Sequence, residues 1–293
     1  MDKTPVRIEL KDVSFKYPEG TGALSGIDMK ISGGEFTGIL GANGSGKTTM
    51  LKVIDGIMKN YLGSVLLDGQ EIRRLSPRMI YGRMGLVFQN PDDQLFAASV
   101  YEDVAFGPRN MGFEEAEVHE RVVNALRAVG MEECAKRGIN NLSYGQKKRA
   151  AMAGLLAMGH EILLMDEPTA GLDPMGEYRM MELLTRLNRE NGVTIVMATN
   201  SVELVPIFLH RLYILSRGRL KRQGTPEEVF TTPEEMESVK LRLPQIAELI
   251  WRLKNEDGAP FKKVPLTVGE ARRLMLEFLK DGKEKGPGDG LLA

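Results

Sequence analysis

Apolar and polar positions alternate loosely over residues 6–15 (VRIELKDVSF), as a half-buried strand requires. The turn cluster PEGTG at 18–22 and the run IDMKI at 27–31 predict a return strand, closed by the tight turn SGGE at 32–35. FTGIL at 36–40 is a short apolar run that ends at a glycine-rich loop. Beyond the loop, Met50, Leu51, Ile54, Ile57 and Met58 fall at helical spacing. The local order is therefore strand, glycine loop, helix.

Residues 63–72 (GSVLLDGQEI) predict a hairpin around Asp68-Gly69. MGLVFQ at 84–89 predicts a strand that stops at the turn cluster NPDDQ. Residues 99–137 carry helical patterning with many charges, and 143–159 predict a helix with Ser143 as N-cap. EILLMDE and GVTIVMAT (192–199) predict two buried strands. Strands alternating with helices imply a mainly parallel sheet covered on both faces.

From about Gly224 the texture changes. TPEEVFTTPEEMESVKLRLP is acidic and punctuated by proline, and the helical stretches PQIAELIWRLK and LTVGEARRLMLEFLK follow. These features divide the chain into a domain at 1–224 and an extension at 225–293. The last residues, DGKEKGPGDGLLA, have the composition of a disordered segment. Leu243, Ile246, Leu249, Ile250 and Leu253 form an apolar stripe that serves either a second chain or internal packing.

Charge narrows the function. Lys plus Arg number 39 and Asp plus Glu 40, which gives no electrostatic footprint for nucleic acid or an anionic membrane. The single cysteine, Cys134, excludes an internal disulfide, and His119, His160 and His210 are too scattered to form a metal site with it. The opening residues MDKTPVRIEL lack an apolar signal core. The longest uncharged apolar run, Ala150 to Gly159, is about half of what a bilayer span needs. A membrane role is therefore expected to work through a partner.

The candidate chemistry lies in two motifs. Gly41, Gly44, Gly46, Lys47 and Thr48, within GANGSGKTT at 41–49, match G-x-x-x-x-G-K-[ST] in full, between a predicted strand and helix. Glycines there let backbone N–H groups turn toward phosphate oxygens, and the helix start adds its positive dipole end. Lys47 would reach the β- and γ-phosphates of ATP, and Thr48 would ligate Mg²⁺. A chance glycine turn before a helix is the competing reading. The second motif is Asp166-Glu167, delivered by the apolar run 162–165 to the strand edge where ligands sit on parallel sheets. Asp166 would hold Mg²⁺ through water and Glu167 would orient or deprotonate the attacking water. A strand ending in plain solvated acids is the alternative.

The glycine loop, LSYGQ at 142–146 and LMDEPTAGLDP at 164–174, in that order, resemble the ATP-binding subunit of an ABC transporter over residues 6–225 or so. VFQNPDDQLFAASVYEDVAFGP at 87–108, SYGQKKRAAMAG and the appended tail are similar to the cobalt-type, or energy-coupling-factor, ATPases. The resemblance implies an α/β P-loop NTPase of the ABC cassette type. It would have a mainly parallel sheet core, an antiparallel β subdomain, a helical subdomain at about 92–160, and a small C-terminal helical extension that adds dimer contacts. It further implies that Tyr17 stacks on adenine and that Asn43, Ser45 and Thr49 share the nucleotide site with the residues already named. Gln89 would contact Mg²⁺ and the attacking water. Ser143, Gly145 and Gln146 would approach the γ-phosphate held by a second subunit, and Asp173 would link the two sites. The implied partners are a second ATPase subunit, identical or related, and integral membrane coupling and substrate-binding subunits at the cytoplasmic face. The implied work is uptake of cobalt, a related metal or a vitamin. Asp92 and Asp93 are candidates for receiving arginines from a membrane partner, with a solvated acidic turn as the alternative.

Two positions depart from the family pattern. Tyr144 stands where LSGGQ has a glycine, and Asn200, in Thr199-Asn200-Ser201, stands where the family places a histidine. Asn200 can donate a hydrogen bond to a phosphate but cannot carry charge. A catalytically weakened subunit that binds ATP, paired with an active one, is therefore a second reading. A soluble ABC ATPase working on nucleic acid is a third, opposed by the neutral charge balance and the single cassette.

Overall fold

The computed structural model describes residues 5–284. In chain order the strands are β1 (Val6–Lys16), β2 (Gly22–Ser32), β3 (Phe36–Leu40), β4 (Tyr61–Leu67), β5 (Gln70–Glu71), β6 (Met84–Val87), β7 (Ile162–Asp166), β8 (Thr194–Thr199), β9 (Arg211–Ser216) and β10 (Arg219–Gly224). The helices are α1 (Lys47–Ile54), α2 (Pro77–Tyr81), α3 (Val100–Met111), α4 (Glu115–Ala128), α5 (Tyr144–Ala157), α6 (Pro174–Asn191), α7 (Val205–Phe208), α8 (Pro226–Val229), α9 (Pro233–Ser238), α10 (Gln245–Asn255) and α11 (Val268–Glu284).

β1, β2, β4 and β5 form an antiparallel sheet in the order β2-β1-β4-β5. Its β4–β5 turn is the expected hairpin, with Asp68 and Gly69 both at positive φ (48° and 78°), as a two-residue turn that matches strand twist requires. The second sheet runs β10-β9-β3-β8-β7-β6. All its pairings are parallel except the β9–β10 hairpin. The sequence pattern assigns no element to β9, β10 or α6.

Buried runs in the central strands split their side chains between two apolar layers. Leu163 and Met165 of β7 and Ile195 and Met197 of β8 join the layer built by α3, α4, α5 and α6. Ile162, Leu164, Val196 and Ala198 point the other way, onto α1 and the antiparallel sheet. This is the period-two consequence of a sheet covered on both faces. It explains why these strands read as continuous apolar runs rather than as alternating ones.

The residues after Gly224 share the cassette's core. Val229, Phe230, Met236, Leu243 and Ala247 are buried in the same layer as Val202, Val205 and Leu209. The expected stripe divides, with Leu243 in the cassette layer and the α10 residues after it turned to the extension. Ile250 is buried with Phe261 and Ala271, flanked by Ile246 and Leu253, and Leu249 is left exposed. Of the terminal segment expected to be disordered, residues 281–284 continue α11 and the rest lies outside the described residues.

One buried group sets a pH dependence of stability. Asp55, just past α1, is 4 % exposed and its Oδ1 has no hydrogen-bond partner among the described residues. Burial pushes its carboxyl up to about 7. The folded chain therefore holds this proton where the unfolded chain releases it. Stability from this group is full below the ordinary aspartate range and is lost as pH rises toward about 7. Asp55→Asn is expected to raise stability at pH 8 by up to roughly 3 kcal/mol and to change little at pH 4. Urea titrations at the two pH values check this, and an equal effect at both contradicts it.

Candidate functional site

The glycine loop runs from the buried end of β3 to the first turn of α1. Gly44 and Gly46 have φ of 76° and 108°, a region that side chains disfavour. A Cβ on Gly46 would lie 2.6 Å from the Ala23 carbonyl oxygen, and one on Gly41 would lie 2.4 Å from both the Leu215 carbonyl oxygen and Ser45 Oγ. These glycines are therefore required by close packing as well as by turn geometry. Gly46 offers no side-chain cap to α1, whose first turn also holds no acid. The leading N–H groups and the dipole are thus left to an external anion.

Lys47 is buried. Its Nζ donates to the carbonyl oxygens of Gly41 (2.8 Å) and Ala42 (3.4 Å) and lies 3.3 Å from Glu167 Oε1. Thr48 Oγ1 donates to Asp166 Oδ2 at 2.8 Å. The other Asp166 oxygen, Oδ1, is buried without a partner among the described residues. Burial raises the Asp166 carboxyl, opposed by the Thr48 hydrogen bond and by Lys47. Glycine loop and acidic pair, 118 residues apart between Thr48 and Asp166, are thereby brought together. Tyr17 joins from β1's end, its hydroxyl 2.8 Å from Thr49 Oγ1. Asn200, exposed at the end of β8, donates from Nδ2 to Asn43 Oδ1 at 3.2 Å.

Glu167 holds its backbone at φ 48°, a left-handed value for a non-glycine residue. What stabilises it is a residue of the SYGQKKRAAMAG segment to which the resemblance assigns no role. Lys148 of α5 is 1 % exposed, and its Nζ donates to the carbonyl oxygens of Glu167 (2.8 Å), Pro168 (3.0 Å) and Ala170 (2.9 Å). Burial draws its ammonium down to about 8, against the attraction of Glu167 and Asp166. The sequence does hold a signal for it: Lys148, Ala151 and Met152 lie at i, i+3 and i+4 on the buried face of α5.

The second cluster stands apart from the first. Ser143 caps α5 through a capping box with Gln146. Asp173 caps α6, accepting from the Gly176 N–H at 2.6 Å. Ser143, Gly145, Gly171 and Asp173 line a cleft of about 1010 Å³. No hydrogen bond or ion pair among the described residues joins Ser143, Gly145, Gln146 or Asp173 to the glycine loop. Gln89, exposed after β6, meets this cluster by its backbone: its carbonyl oxygen accepts from Tyr144 Oη at 3.1 Å. The Tyr144 ring also packs on Gly171, where a Cβ would sit 3.0 Å from Tyr144 Cε1. Asp92 is held by Lys147 at 2.5 Å and Asp93 accepts from Asn90, so the acidic turn is not simply solvated.

No helix among the described residues is long and apolar enough to cross a membrane. No group of three or more His, Cys, Asp and Glu side chains is placed to hold a metal by itself among them.

A phosphate cradle built in this way, at the C-terminal edge of a parallel sheet, places the chain among the P-loop nucleoside triphosphatases. The family model described as ABC transporter matches residues 24–170. An ABC transporter ATP-binding protein of Geobacter sulfurreducens is 70% identical over 273 residues, covering 93% of this chain and 97% of that protein. The energy-coupling factor transporter ATP-binding protein EcfA of Methanococcus maripaludis is 47% identical, covering 93% and 98%. Among solved structures, CbiO1 of Clostridium perfringens, part of the ABC transporter complex CbiONQ, superposes with TM-score 0.74 at 42% identity, covering 84% of this chain and 99% of that one. The dimeric cassette MJ0796, in a post-hydrolysis state bound to ADP and Pi, gives TM-score 0.66 at 30% identity, covering 75% and 98%. The chain belongs to the ABC transporter family and is, by class, an ATP hydrolase.

Proposed function

We propose that this chain is the ATPase of an energy-coupling-factor importer, working as a pair of cassettes at the cytoplasmic face beneath membrane subunits. The observation that carries the reading is the separation of the two clusters. The glycine loop with Asp166 and Glu167 forms one half-site, and Ser143, Gly145 and Asp173 line a separate cleft. Two chains facing each other would complete two sites. MJ0796 is dimeric and CbiO1 belongs to a transporter complex, which supports both parts of the proposal.

In this reading the N–H groups of the loop, including Asn43, Ser45 and Thr49, cradle ATP, and Tyr17 stacks on adenine. Lys47 leaves Glu167 and the loop carbonyls for the β- and γ-phosphates. Thr48, Asp166 and Gln89 would hold Mg²⁺, for which the unpartnered Asp166 Oδ1 and the hard oxygen donors are suited. The ion would neutralise charge on the phosphates. Glu167, released from Lys47, accepts a proton from the attacking water. The water oxygen bonds to the γ-phosphorus as the bond to the β–γ bridging oxygen breaks, giving ADP and phosphate. The opposite chain's Ser143 and Gly145, at a helix N-terminus, stabilise the γ-phosphate.

The cargo, cobalt, a related metal or a vitamin, would be met only by the membrane subunits. Tagged protein purified from native membranes should bring hydrophobic subunits with it. Mass spectrometry and metal analysis of that complex identify them, and recovery of the chain alone contradicts the importer reading. Asp92 is already paired with Lys147, so an arginine from a partner would have to compete for it.

The weakened-subunit reading is favoured by one observation. Asn200 sits beside the loop at Asn43, with no charge to offer a γ-phosphate. On this second reading, Asn200→His raises turnover by about three- to tenfold at unchanged KM. Equal turnover of the two proteins contradicts it.

A further inference from the structure

On the ATPase reading above, we propose that Lys240, contributed by the C-terminal extension, supplies the cation that Asn200 lacks at the γ-phosphate edge of the glycine loop. A cleft of about 530 Å³ is lined by Ala42 and Asn43 of the loop, by Asn200 and Ser201, and by Lys240 and Arg242 from beyond the cassette boundary. Asn43 and Asn200 are hydrogen-bonded across it. The extension therefore borders the glycine loop of its own chain at Ala42 and Asn43.

The charges in this cleft are not equivalent. Glu203 accepts from Arg242 at 3.1 Å and from the Gln245 N–H, so the Glu203 and Arg242 side chains neutralise each other. Lys240 makes no ion pair among the described residues and is exposed. It remains the uncompensated positive group of the cleft that Asn43 and Asn200 also line. Its place is fixed from both sides: Val239 and Leu241 are buried, the Lys240 N–H donates to the Glu237 carbonyl and the Leu241 N–H to that of Met236. Lys240 itself has φ 59° at the end of α9, where a glycine or asparagine is the usual occupant. Its flexible four-carbon stem ends in a point charge suited to a phosphate oxygen. A histidine at position 200 would make that charge redundant; an asparagine does not.

The test is a cycle of Lys240→Gln and Asn200→His, measured as steady-state ATP hydrolysis by the full chain. Lys240→Gln is expected to lower kcat about tenfold with KM for ATP within about twofold, and Lys240→Arg to retain activity. In the Asn200→His background the same Gln change should cost less than about twofold. Equal losses in both backgrounds, or no loss in the native one, overturn the assignment. If Asn200→His is itself inactive, the contrast between Gln and Arg at 240 decides. Glu167→Gln serves as the control. If that variant keeps turnover, the site assignment around Glu167 fails; if it loses turnover while Lys240→Gln does not, only the role of Lys240 fails.

Discussion

Glu167→Gln is expected to lower ATP turnover by about 10²- to 10⁴-fold while leaving ATP affinity undiminished. The carboxylate lies 3.3 Å from Lys47 at the end of β7, so its removal takes away the proton acceptor without touching the phosphate cradle. Glutamine keeps the shape and the hydrogen-bonding oxygen but cannot accept a proton. Affinity should hold or tighten, because a negative charge near the γ-phosphate is lost. Turnover and equilibrium nucleotide binding, measured on the same preparation, check both halves. A loss of binding equal to the loss of turnover would mean that Glu167 is a structural partner of Lys47 and nothing more.

Lys148→Met should be the most damaging change outside the phosphate cradle. Three carbonyl groups of the 167–170 loop converge on one buried ammonium. Methionine fills the space but leaves those acceptors unpaired, at a cost of about 3 kcal/mol. For a chain of 293 residues that corresponds to a fall in Tm of about 5 °C. Activity should suffer more than stability. Glu167 keeps its left-handed backbone through this loop, and a carboxylate displaced by an ångström or so loses its alignment. Thermal melts and turnover at a temperature where the variant is folded separate the two effects. A variant with native turnover and native Tm contradicts the role given to Lys148.

Much of this architecture is legible in the amino-acid sequence alone. The strand–loop–helix order around Lys47, the hairpin at Asp68-Gly69 and the cap at Ser143 follow from local rules that act within a few residues, and all three are present. The β9–β10 hairpin escapes those rules, although Arg217-Gly218 makes a tight turn with φ of 48° and 71°. Arginines at both ends, in HRLYILSRGRLKR, mask its apolar centre. The site divides in the same way. Lys47, Thr48, Asp166 and Glu167 announce themselves by motif, and their meeting follows from the edge at which parallel strands deliver ligands. Lys148 sits in a family-like segment that gives it no role, and Lys240 carries no motif. One is identified by burial among carbonyls and the other by a path of the extension back to Asn43, and both depend on tertiary placement. Tyr144 is visible as a departure from the family pattern, but its bond to the Gln89 carbonyl spans 55 residues and no local rule reaches that far.

The pairing of two chains around ATP is tested most directly by sedimentation of the Glu167→Gln protein with and without Mg²⁺-ATP. The mass is expected to double from 32.5 kDa when nucleotide is added, and Ser143→Arg, in the cleft away from the glycine loop, to prevent doubling while ATP still binds. A single chain that stays at its own mass with its site saturated would contradict that pairing.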